Sequence, residues 1–128
     1  MDLHPNAATV LAGFEAFARG DMAALKELYS EDAIWHNGGR SRFGGDYHGP
    51  DAIIRHFGEL TAEASIENTP HAILADDEHV VVLSGAKLTR GRQTLELNNV
   101  FVFHVAGGKV TETWITSMDQ YAADEFWG

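Results

Sequence analysis

The stretch Leu95–Val105, LELNNVFVFHV, decides the fold. It is rich in β-branched and aromatic residues and reads as a long β-strand with two asparagines in its middle. Steps of two from Leu97 put Asn99, Phe101 and Phe103 on one face. Glu96, Asn98, Val100, Val102 and His104 take the other. Neither face is plainly wet, so both need cover: helices on one side, a second sheet or a partner subunit on the other. On the helix-covered side Asn99 becomes a polar group in an apolar wall, which costs free energy unless something hydrogen-bonds to it. A ligand could be that something.

Working outward, three more strands are expected around this one: 65–75, 79–89 and 109–119. Turn signals at Asp76-Asp77-Glu78, Thr89-Arg90-Gly91-Arg92 and Ala106-Gly107-Gly108-Lys109 make consecutive antiparallel hairpins. Towards the N-terminus the periodicity turns helical. Val10, Leu11, Phe14, Phe17 and Ala18 mark a first amphipathic helix over 6–19, with Asn6 placed to cap it and Gly20 to end it. Asp21 suits the N-cap of a short second helix through Leu25 and Leu28. Ala33–His36 reads as a short strand. Residues 37–49 hold five glycines and two arginines, an irregular loop of the kind that borders site mouths. Pro50 opens a third helix, with Ile53, Ile54, Phe57 and Leu60 as its buried stripe. The tail 120–128 carries Tyr121, Phe126 and Trp127 and is expected to pack over something apolar. Helices first and strands afterwards is the α+β pattern, here one domain over residues 1–128.

Composition narrows the function classes. With 128 residues the chain can bury a core without staples. It has no cysteine, so thiolate chemistry is absent. The formal net charge of −10 argues against nucleic acid or anionic membrane as partner. No apolar run reaches a membrane span and the first residues lack a signal peptide's pattern, so a cytoplasmic protein is expected. Seven histidines include no pair at metal-ligand spacing, and no glycine pattern suits a phosphate cofactor, so neither metal nor cofactor is expected.

The run Phe14-x-x-Phe17-x-x-Gly20-Asp21-x-x-x-Leu25-x-x-Leu28-Tyr29-x-x-Asp32-Ala33-x-Trp35, then Tyr47-x-Gly49-x-x-Ala52-Ile53-x-x-x-Phe57, then Gly108-Lys109-Val110-x-x-x-Trp114 and Asp119, resembles the SnoaL-like branch of the nuclear transport factor 2-like superfamily. The resemblance implies a curved sheet wrapped as a cone around three helices, an apolar pocket inside, and a homodimer through the sheet's outer surface. That fold hosts isomerases, cyclases, epoxide hydrolases and plain binding domains. The ketosteroid isomerase pattern would want a carboxylate at Asn37, a tyrosine near Gly13 and an aspartate at Asn99, and all three are missing. The limonene-type epoxide hydrolase pattern is met at Asn37 and Asp119 but not at Leu97 and Asn99. The polyketide-cyclase pattern needs chiefly one aspartate acting as acid and base, and Asp119 stands in its place.

The expectation is therefore a cofactor-independent enzyme that moves protons on a hydrophobic small molecule, or else a non-catalytic ligand-binding or dimeric interaction domain. Asp119 would be the acid/base, or a strand-end aspartate capping the following turn. Asn99 would be its hydrogen-bonding partner, or a buried amide satisfied by backbone. His36 would be a second acid or base, or a hydrogen-bonded strand histidine. It alternates with Trp35, so only one of the two faces inward. Trp35, Asn37, Tyr47, Phe14, Phe17, Phe57, Phe101, Phe103, Ser117, Tyr121 and Trp127 would surround the substrate, or simply fill the core. Val100, Val102 and Val110 would form the outer, dimer-forming face.

Overall fold

The computed structural model describes residues 3–128. It contains helices α1 (Pro5–Ala18), α2 (Met22–Glu27), α3 (Pro50–Glu63) and α4 (Gln120–Trp127). The strands are β1 (Tyr29–Asn37), β2 (Gly45–His48), β3 (Ser65–Ala75), β4 (His79–Arg90), β5 (Gln93–Ala106) and β6 (Lys109–Ser117). All six strands form one sheet in the order β2-β1-β6-β5-β4-β3. Every neighbouring pair is antiparallel except β1 and β6. Helix α3 packs on β1 and β2 near one end of this order and on β3 at the other. The sheet therefore curls around the helices, as expected of the α+β cone.

Each element has a local cause. Asp21 caps α2 by accepting from the Ala24 amide. Gly20, at φ 72°, makes the corner between α1 and α2, where a side chain would be strained. Pro50 occupies the first turn of α3. The cap of α1 is His4, whose side chain accepts from the Asn6 amide, rather than Asn6 itself. On β5 the expected alternation holds: Leu97, Asn99, Phe101, Phe103 and Val105 are buried, while Val100, Val102 and His104 are half-buried on the other face.

Three expectations are corrected. The loop 37–49 contains a strand, β2, because Trp35–Asn37 offers it an antiparallel edge. The last strand stops at Ser117, and the tail is a helix with Asp119 at its N-cap. Val110 does not join the outer face. It pairs with Tyr29 and is buried among the inward residues.

The main core joins Val10, Ala16 and Leu25 of the first helices to Ile53 and Phe57 of α3 and to the inward residues of the sheet. A second cluster, Ala64, Ala86, Leu88, Leu97, Ala123 and Phe126, seats α4 across the ends of β4 and β5. No helix among the described residues is long and apolar enough to cross a membrane.

Candidate functional site

Between the helices and the curled sheet lies a cavity of about 140 Å³. That is close to the roughly 150 Å³ of an apolar cavity able to hold a benzene ring. Its walls are aromatic: Phe14 and Phe17 from α1, Phe57 from α3, Trp35 from β1, and Phe101 and Phe103 from β5. Phe14 meets Phe101 edge-on at 5.0 Å and Trp35 meets Phe57 at 4.8 Å, so the rings are locked in the favourable quadrupole arrangement. Polar groups also line it: Asn37, Asn68, Asn99, Ser117, Gln120 and Asp124. Trp127 of α4 contributes one wall. No lysine or arginine among the described residues lines the cavity.

Strand phase explains which predicted residues arrive. Trp35, paired with Thr113 of β6, turns inward and is buried, so His36 points to the outer face of the sheet. There His36 stacks on Trp114 and its two ring nitrogens meet Asp46 at 2.7 Å and Glu112 at 2.6 Å. Partial burial opposes its charging, but the hydrogen bonds it makes to Glu112 and Asp46 outweigh that and raise its pKa. His36 thus sits between two carboxylates on the outer face and is no part of the cavity.

Asp119 is also absent from the walls. It is exposed, and its carboxylate accepts from the Ala122 amide at 3.1 Å as the cap of α4. The strand ends two residues too early to carry it inward. Tyr121 is 91% exposed, because the first turn of α4 leaves that side of the helix free. Tyr47 stands just outside the walls, its hydroxyl donating to the Phe43 carbonyl at 2.7 Å. Asn99, Asn37, Trp35, Ser117, Trp127 and the five phenylalanines Phe14, Phe17, Phe57, Phe101 and Phe103 all line the cavity.

Several residues there escaped the sequence reading. Asp124 accepts from the Arg40 amide at 2.9 Å and from the Gln120 side chain at 2.9 Å, and these bonds lower its pKa. It is an ionised strut between α4 and the 38–44 loop. His56 is 1% exposed, and burial lowers its pKa to about 4. Its place three residues after Ile53 on the apolar stripe of α3 was the available signal. Two further buried atoms near this site lack a partner among the described residues: the Trp35 indole nitrogen and the Thr113 hydroxyl. No cluster of metal-ligating residues occurs among the described residues.

Residues 10–113 match the model of the SnoaL-like domain. An uncharacterised protein of Mycobacterium tuberculosis strain H37Rv is 27% identical over 117 residues, 89% of each chain. The structure of Bal32a, from a soil-derived mobile gene cassette, is 36% identical, covers 97% of each chain and superposes with a TM-score of 0.92. An NTF2-like protein of unknown function from Burkholderia pseudomallei K96243 shares the fold at 21% identity, 98% of each chain and a TM-score of 0.88. Topology and fold agree with the NTF2-like structure, and by the family match the chain belongs to the SnoaL-like domain family.

Proposed function

We propose that the protein binds an uncharged, mostly apolar small molecule, about one ring in size, in the aromatic cavity. The observation that carries this reading is the wall itself: eight aromatic residues with a few amides and hydroxyls and, among the described residues, no lysine or arginine to hold an anion. Binding is favoured over proton transfer by where the ionisable groups stand. Asp119 caps a helix outside the cavity, His36 is paired on the outer face, and both Asp124 oxygens are engaged. An acid/base enzyme of the cyclase or hydrolase kind is the second reading, favoured by the neutral His56 one amide away from the cavity.

Toluene and benzoate test the proposal. Toluene at a hundredfold excess over its Kd is expected to stabilise the protein by about 2.7 kcal/mol against urea, and benzoate at the same concentration to do far less. Stabilisation by neither, or by benzoate alone, would sink it.

Self-association through the outer face belongs with this proposal. Val100, Val102 and the Trp114 ring, 36% exposed, offer an apolar strip there. Equilibrium sedimentation is expected to show twice the 14.0 kDa mass, and a monomer at all concentrations would remove it.

A further inference from the structure

His56 is a buried histidine with a single side-chain hydrogen-bonding partner among the described residues. Its ring is wedged on α3 between Tyr47, stacked at 3.9 Å and 18°, and the tilted rings of Phe43 at 6.1 Å and Phe57 at 5.9 Å. Nε2 lies 3.4 Å from Oδ1 of Asn37, and Nδ1 has no partner among the described residues. A neutral imidazole has one proton for these two nitrogens. On Nδ1 it would leave a buried N–H without an acceptor. On Nε2 it is donated to Asn37 and leaves only a bare lone pair. Orphaned buried N–H groups are rarer than under-satisfied acceptors.

We propose that His56 is a positioning residue that sets the polarity of the cavity wall at Asn37. The Nε2–H group holds Oδ1 of Asn37, which turns the Asn37 NH2 group towards the cavity. Two positions back on the same face of β1, the Trp35 indole N–H is fully buried and has no acceptor among the described residues, which leaves the Asn37 NH2 group as the donor on this side. The β1 side of the cavity therefore offers a donor, and the ligand must set a hydrogen-bond acceptor against it. This last step rests on the small-molecule reading of the cavity, whereas the orientation of Asn37 does not.

Two measurements separate these parts. Long-range nitrogen–proton NMR on the ligand-free protein at neutral pH is expected to show His56 protonated at Nε2 and bare at Nδ1. The opposite tautomer overturns the proposal. Calorimetric titration then compares acetophenone, which has an acceptor oxygen, with ethylbenzene, which has none. The unaltered protein is expected to prefer acetophenone about fivefold, the worth of one net hydrogen bond. His56→Phe keeps a ring on Tyr47 but frees the amide, so the ratio should fall towards one with ethylbenzene affinity unchanged. His56→Gln, which restores an N–H donor, should recover the preference. Equal affinities in the unaltered protein, or an unchanged ratio in His56→Phe, overturn it. Should neither compound bind, the cavity's small-molecule role fails, and the tautomer still decides whether His56 orients Asn37. The tautomer likewise decides if the variants do not fold.

Discussion

Phe57→Ala is expected to destabilise the protein by about 3–5 kcal/mol, read as a lowered urea midpoint at unchanged slope. Phe57 is 4% exposed and sits where α3 meets both α1 and the sheet. Its ring touches four others: Phe17 at 5.8 Å, Tyr29 at 6.4 Å, Trp35 at 4.8 Å and His56 at 5.9 Å. Truncation removes buried apolar surface and also the edge-to-face contacts that hold Trp35 and Phe17 in place. The neighbours cannot collapse inward, because they already face a void. The deleted volume therefore adds to the cavity, and the surviving fold should admit larger ligands than toluene. Tyr121→Ala is the control: that ring is 91% exposed and its loss should stay within about 0.5 kcal/mol. A Phe57→Ala cost near that of Tyr121→Ala would mean that the aromatic wall is not a supporting structure.

What the sequence disclosed follows the range of the interactions involved. The phase of β5 was legible because it is a local pattern: two apolar faces and an amide at Asn99, each read in steps of two. The choice between Trp35 and His36 was not. It depends on β1 pairing in parallel with β6, and a parallel partner some eighty residues away leaves no local mark. Asp119 shows a different difficulty, since one residue suited two local roles, strand end and helix cap. The sheet decides between them, because Ser117 is the last β6 residue to find a partner, Asn99, on β5. Once Asp119 caps α4, helical spacing seats Ala123 and Phe126 on the second core and leaves Tyr121 to solvent. Cavity residues such as Gln120 and Asp124 come from that helix, so the tail supplies more of the site than the expected Trp127, while Tyr121 supplies none of it. The absence of the isomerase residues at Asn37 and Asn99 was legible directly. In their place stand amides, which bind and orient but do not titrate.

Acidification from about pH 6.5 to about pH 4 is expected to remove up to about 3 kcal/mol of stability through His56 alone. Burial lowers its pKa from 6.5 to about 4 in the folded chain, and in the unfolded chain it returns to the ordinary value. Between the two the unfolded chain takes up a proton that the folded one refuses, so stability falls with pH across that window. His36 acts with the opposite sign. Its folded pKa is raised by Glu112 and Asp46 against partial burial, so its contribution is complete below 6.5 and is lost as pH rises through the folded value. The two windows adjoin at about pH 6.5: on acidification His36 adds stability above it and His56 removes stability below it, so these two groups together make the unaltered protein most stable near the junction. Asp124, held low by the Arg40 amide and Gln120, contributes in a lower window, where stability is lost as pH falls below the carboxylate's ordinary range. Urea midpoints from pH 7.5 to 4.5 on the unaltered protein, His56→Phe, His36→Gln and the double variant separate these terms. His56→Phe should flatten the acid loss below about pH 6.5, His36→Gln should remove the gain above it and leave that loss in place, and the double variant should be nearly level above about pH 5. Parallel profiles for His56→Phe and the unaltered protein would mean that His56 charges freely in the folded state, and the neutral ring assigned to orient Asn37 would be lost with it.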